Sequence, residues 1–215
     1  MKKKVFRVLL FITFVASAIS EVQAQVSDTK WYWRANAGLS ELSNQSFNFG
    51  ANSENLSIDS GFVAGLSVGY RIRPRVDLEL MWEYRANDHT GFPASEALQS
   101  EGNFASNMFG LNAMYRLTES ERFTPYLGVG LLLAQEIDID FENAAGERSF
   151  STDGDVGFQI FAGVEYLMSG AWKIRGELRQ AQLGSLNLES ESGVGTVLDL
   201  DYDPLTLDIS ILRSF

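Results

Sequence analysis

The residues best able to do chemistry lie in short runs with charge at alternate positions. Glu79, Glu83 and Arg85 share one parity in the run starting at Val76, and Lys173, Arg175, Glu177 and Arg179 share one parity in another. Arg34 and Glu165 occupy similar polar positions in two further runs. A spacing of two puts side chains on one face of an extended strand. Unlike charges so arranged either pair with one another or line a path for a small solute. A second group is Asp199, Asp201 and Asp203, which places three carboxylates on one side of an extended segment. Hard cations such as Ca²⁺ take such oxygens, but the run lacks the glycine and distal glutamate of an EF-hand loop. It is a candidate divalent-cation site, weighed against a plain solvated acidic surface.

Other chemistries are poorly supplied. The only histidine is His89, flanked by Asp88 and Thr90 in a polar stretch where solvation is the simpler expectation. A histidine-dependent hydrolase needs that ring beside its nucleophile. No catalytic residue is assigned, and the chain is read as non-enzymatic. There is no cysteine, which removes thiolate nucleophiles, thiolate metal ligands and disulfides. No phosphate loop, dinucleotide fingerprint or zinc motif occurs, and no cofactor is expected. The formal charge is −11, and an acidic chain is a poor partner for nucleic acid.

The charged runs need elements to position them, and the first stretch is not one of these. Lys2, Lys3, Lys4 and Arg7 precede an apolar run from Val8 to Ile19, followed by Val22-Gln23-Ala24. This is the pattern of a secretory signal peptide over residues 1–24, too short for a membrane-spanning helix. The mature chain, 25–215, then carries 13 basic against 27 acidic groups, or −14. It contains no other long apolar run. A single exported domain or a β-barrel remains.

Period-two alternation decides for the barrel. Eight segments show it: Trp31–Ser40, Gly61–Ile72, Val76–Arg85, Phe109–Leu117, Tyr126–Asp138, Val156–Tyr166, Trp172–Arg179 and Leu205–Phe215. One face of each is apolar, for example Val76, Leu78, Leu80, Trp82 and Tyr84. The other mixes charge, Gly and Ser, which suits the narrow interior of a small barrel. In the fifth segment Ile137 is placed on the apolar face, and Glu136 and Asp138 on the polar one. Each segment approaches the ~9–11 residues a tilted strand needs to cross a bilayer.

The connections alternate in length. Short ones fall at 73–75, 118–122 and 168–170, and long ones at 41–60, 86–103, 139–155 and 181–204. That is the outer-membrane arrangement, with short turns in the periplasm and long loops outside. The long connections are expected as mobile loops. They are acidic, with Glu41, Glu54, Asp59, Asp88, Glu96, Glu101, Asp140, Glu142, Glu147, Asp153, Asp155, Glu189 and Glu191 beside the three aspartates, against Arg148 alone. Such a surface repels lipopolysaccharide phosphates unless divalent cations bridge them. Aromatics fall where girdles belong: Trp31, Tyr70, Tyr115, Tyr166, Trp172 and Phe215 near the short turns, and Phe62, Trp82, Tyr84 and Phe158 toward the other rim.

Pro125-Tyr126-Leu127-Gly128-Val129-Gly130, Gly163-Val164-Glu165-Tyr166 and the terminal Phe215 resemble the small eight-stranded outer-membrane barrels, the OmpA-like and opacity-type family. The third residue from the end, Arg213, departs from the apolar or aromatic residue usual there, and no peptidoglycan-binding domain follows the last strand. The resemblance implies an all-β, eight-stranded antiparallel up-and-down transmembrane β-barrel in the outer membrane of a Gram-negative cell. It implies export by the general secretory pathway, handling by periplasmic chaperones and by insertion machinery that reads Phe215, and a monomer surrounded by lipid and lipopolysaccharide.

Strand position puts Arg34, Glu79, Arg175 and Glu177 at similar depth. The expected function is surface contact, adhesion or envelope integrity, with the lumen plugged by Arg34, Glu79, Glu83, Arg85, Glu165, Arg175, Glu177 and Arg179. The alternative is a narrow porin-like channel, favoured by the small lumen residues Gly61, Gly65, Ser67, Gly69, Gly110, Gly128, Gly130 and Gly157. A lipid A-modifying enzyme is disfavoured by the histidine count.

Overall fold

The computed structural model describes residues 30–49, 52–91, 101–118, 122–143, 146–152, 154–190 and 197–215. The expected signal peptide, with Glu96, Asp153 and Glu191, lies outside them, as do the side chains of Glu54, Glu101, Glu142, Glu147, Arg148 and Asp199. The described chain is all β. Its strands are β1 (Trp31–Glu41), β2 (Gln45–Phe49), β3 (Asn52–Ile58), β4 (Gly61–Arg73), β5 (Val76–Gly91), β6 (Glu101–Arg116), β7 (Phe123–Asn143), β8 (Gly146–Thr152), β9 (Val156–Ser169), β10 (Trp172–Gln182), β11 (Gly184–Ser190), β12 (Val197–Tyr202) and β13 (Leu205–Ser214). No helix among them is long and apolar enough to cross a membrane, so the crossing is made by strands.

Two rings stack on one another. The lower ring closes through eight strands, β1, β4, β5, β6, β7, β9, β10 and β13, each antiparallel to both neighbours, with β13 returning to β1. Closure leaves no strand edge to face lipid. These are the eight segments of alternating sequence, and the short turns join them. The turn after β9 uses Gly170 at φ 56°, a left-handed conformation that glycine adopts without a Cβ clash. The outer face of the ring is apolar throughout: Ile209 is 68% exposed and Val156 66%. The girdle residues also turn outward. Trp31 packs on Tyr70 at 4.8 Å between ring centroids, Phe62 on Tyr84 at 5.9 Å, and Arg213 lies 5.2 Å over Trp172.

The upper ring stands where mobile loops were expected, and this corrects that expectation. Strands β5, β6 and β7 run on from the lower ring, and β2, β3, β8, β11 and β12 join them. Its polarity is the reverse of the lower ring. Outside are exposed Asp88, Thr90, Asn103, Gln180, Asn187 and Glu189. Inside is an apolar cluster that includes Ile58, Phe104, Ile139, Phe150, Leu186, Leu188, Leu200 and Tyr202. A polar exterior over an apolar core belongs in water, so the upper ring projects beyond the membrane.

A β-bulge joins the two rings on β7. Met108 faces Ala134 while Asn107 faces Glu136, leaving Gln135 as the extra residue. A one-residue insertion exchanges the two faces of a strand. Ala134 is inside, and beyond the bulge Ile137 and Ile139 are inside as well. The outward placement of Ile137 is therefore wrong, and Glu136 and Asp138 turn away from the interior. His89 corrects a second expectation: it is 2% exposed, inside the upper ring, with Nε2 donating to the Asp140 carbonyl at 2.8 Å.

Candidate functional site

The lower ring encloses twelve charged side chains, and the alternation of six strands aims them all inward. Six are cationic, Arg34, Arg85, Arg116, Lys173, Arg175 and Arg179. Six are anionic, Asp77, Glu79, Glu83, Glu165, Glu177 and Asp208. Eleven of these are buried, and the Lys173 side chain is 17% exposed.

They form two connected layers. Near the short turns, Arg116 reaches Asp77 at 2.5 Å and Glu165 at 3.1 Å, and Lys173 reaches Glu165 at 3.1 Å. Arg175 joins this layer to the middle of the lumen, with Glu165 at 2.6 Å and Glu79 at 3.0 Å. Arg34 meets Glu79 at 2.7 Å from the opposite side, and Tyr32 donates to the same carboxylate at 3.0 Å. The Arg175 guanidinium also lies 5.0 Å over the Tyr126 ring and 5.7 Å over Tyr32. Gly69 makes room for this, since a Cβ there would run into the Tyr32 ring. Further up, Arg179 reaches Asp208 at 2.7 Å and Glu83 at 2.8 Å, and Arg85 reaches Glu83 at 2.5 Å and Thr206 at 3.0 Å. Glu177 accepts from Tyr126 at 2.6 Å and lies 3.6 Å from Arg179 and 3.9 Å from Arg34.

Removing an isolated charge from water costs several kcal/mol, so the near balance of opposite charges, with half-buried Arg71 also reaching Asp77 at 3.3 Å, and their multiple contacts make the burial tolerable. Of the four residues expected at similar depth, Arg34 contacts both Glu79 and Glu177, and Arg175 contacts Glu79. Asp77, Arg116 and Asp208 belong to the same network but were absent from the expected cluster. Their parity on β5, β6 and β13 was the signal that could have found them.

Neutral groups stand among the charges: Gln159 donates to Asn112 at 2.6 Å, and Asn112 lies opposite Glu79. Met81, between Glu79 and Glu83 on β5, and Met108 belong to the apolar cluster that fills the upper ring. His89 sits in that upper region, where burial pushes its pKa down from 6.5. Of the aspartate run, the Asp199 side chain lies outside the described residues. Asp203 accepts from Ser43 at 2.9 Å, Asp201 is exposed, and no group of three His, Asp or Glu fit to hold a metal occurs among the described residues. Phe215 ends the chain beyond β13, exposed, with its amide donating to the Trp31 carbonyl at 3.0 Å.

A closed antiparallel barrel with a lipid-facing apolar belt defines an integral protein of the bacterial outer membrane. Residues 8–210 match the outer membrane protein beta-barrel domain, and the chain belongs to that family. No curated protein sequence matches it. Its fold is similar to that of the outer membrane protein OprG from Pseudomonas aeruginosa, at 14% identity and TM-score 0.60, covering 87% of this chain and 96% of that one. It is also similar to AlkL, at 16% identity and TM-score 0.57 over 91% and 96% of the two chains. Neisserial surface protein A matches at 19% identity and TM-score 0.54 over 86% and 97%.

Proposed function

We propose that this outer-membrane protein is a non-conducting, non-enzymatic surface protein that works through its upper ring, in contact, adhesion or envelope integrity. The observation that carries the reading is the lumen network, in which every one of the twelve charges has an opposite partner within 4 Å. Ions pass a pore by exchanging hydration for fixed ligands, and here each fixed charge already holds another. The upper ring is extracellular in this reading, since the short turns of such barrels face the periplasm. Residues 1–24 are removed as a signal peptide on export by the secretory pathway. Chaperones deliver the chain, the insertion machinery reads Phe215, and the barrel stays monomeric among lipid and lipopolysaccharide.

Single-channel recording of the folded barrel in a planar bilayer tests this. The expected result is a silent bilayer with insertion verified. Discrete steps that change in Glu79→Ala would overturn it in favour of a narrow channel for small solutes. One observation supports that second reading. The side-chain amide of Asn36 and the hydroxyl of Ser40 are buried in the lumen without a protein partner, and buried polar groups of this kind are satisfied by water.

A further inference from the structure

Among the described residues no ladder closes the upper ring. Among the described residues β2 pairs with β3 alone and β12 with β11 alone, so the sheet ends at these two strands. They run in opposite directions with Cα atoms within 8 Å, yet no ladder joins them. The β1–β13 ladder stops just below, at Glu41 opposite Leu205. The next residue on that side is Pro204, whose carbonyl accepts from the Ala181 amide at 3.0 Å, so its backbone turns toward β10 and away from the seam. Ser43 and Asp203, 2.9 Å apart, pin the base of the seam.

Among the described residues the backbone at this seam forms no strand ladder. The Tyr202 carbonyl accepts from the Leu183 amide at 2.9 Å, so Tyr202 aims its backbone groups toward β11. Along a strand these directions alternate, which turns the amide and carbonyl of Asp199 toward the seam. An edge without a ladder is a template for another strand. The two sides of the wall set what that strand must carry. Inside, Leu200 and Tyr202 belong to the apolar cluster. Outside, Glu41 and Glu189 are exposed, on a chain of net charge −11.

We propose that the seam between β2 and β12 binds an extended peptide that alternates apolar and basic residues and adds to the ring as a further strand. Its apolar side chains enter the upper core and its basic ones meet the acidic outer wall. Backbone pairing supplies affinity, and alternation fixes register. Holding a strand needs about 9.6 Å between the edges, twice the strand spacing, so the seam spreads at its mouth while its base stays pinned. This names a partner for the surface-contact reading and rests on it only in placing the seam outside the membrane. Conductance tests that reading and amide exchange tests this one, so each can fail alone.

The test is hydrogen exchange of the folded protein in lipid nanodiscs, resolved by residue, with a capped Val-Lys alternating peptide as the probe. Without peptide the Asp199 amide exchanges fast. At saturation it slows about tenfold or more, and the Leu183 amide, already bonded, does not change. A Val-Glu alternating peptide has no effect, and Glu189→Gln weakens Val-Lys binding several-fold. Asp199→Pro removes the seam-facing donor but spares the β11–β12 ladder, and it abolishes the protection. If that variant does not fold, Glu189→Gln and the two peptides still decide. The proposal is overturned by an Asp199 amide protected without peptide, by protection that rises only with protein concentration, or by equal responses to the two peptides.

Discussion

The two rings use the same strand count and opposite chemistry. The lower ring is apolar outside and holds paired charges; the upper ring is polar outside and holds Phe104, Ile139, Leu188 and Tyr202. Strand β5 shows the change along one unbroken strand. Its outward residues pass from Leu78, Leu80 and Trp82 to Asp88 and Thr90, while its inward parity from Asp77 to His89 never slips. The solvent changes, and each ring places its best-solvated face outward. It follows that the rings are held by different forces. In lipid the apolar face gains nothing from burial, so the lower ring depends on its ladders and ion pairs. In water the upper ring has the hydrophobic effect.

This contrast can be broken from either side. The largest effect is expected from Glu79→Ala, which strips Arg34 and Arg175 of their shared carboxylate and destabilises the whole barrel by about 3–5 kcal/mol without abolishing insertion. Thermal unfolding followed by gel mobility reads this, and an unchanged melting curve would show that the lumen charges are not coupled. Phe104→Ala comes next. It leaves a cavity worth about 3 kcal/mol, felt by upper-ring amides only, so exchange should speed on β11 and β12 and stay constant on β9 and β10. A matching rise in the lower ring would mean that the two rings unfold as one.

A smaller effect belongs to His89. Burial holds its folded pKa below 6.5, so protons favour the unfolded form. Its stability contribution is present above the ordinary histidine range and is lost as pH falls through and below it. Upper-ring amides should therefore exchange faster at mildly acidic pH, and His89→Gln should flatten that dependence. The smallest is Glu189→Gln, an exposed change expected to move the melting temperature by no more than about 0.5 kcal/mol equivalent.

The lower ring was legible because alternation there coincides with strong contrast. Leu78, Leu80, Trp82 and Tyr84 against Glu79 and Glu83 admit one reading, and the short turns fix the neighbours. The upper ring was harder for a physical reason. Its outward residues are acidic and its strands short, so the polar half of the pattern dominated. Leu198, Leu200 and Tyr202 alternate with Asp199 and Asp201 as any strand would, but the carboxylates suggested a cation site. His89 continued the inward parity of Glu79 and Arg85 and was nevertheless assigned to solvent. The bulge at Gln135 had no local mark, since it exists only in the pairing of Asn107 and Met108 with β7. Most of the lumen network could be named from parity, but which cation meets which carboxylate required the register.

Strands β5, β6 and β7 pass through both rings, while every other upper strand meets its lower counterpart at a break. At about 3.3 Å per residue, the 21 residues of β7 make a rod of roughly 70 Å, more than twice the ~30 Å thickness of a hydrocarbon core. A pull on the outer end of this protein would load the three continuous strands lengthwise, in shear along their ladders. The broken side would yield like the slack side of a bow. Such a mast bends in one preferred direction, so the protein meets lateral force with a stiff side and a compliant one.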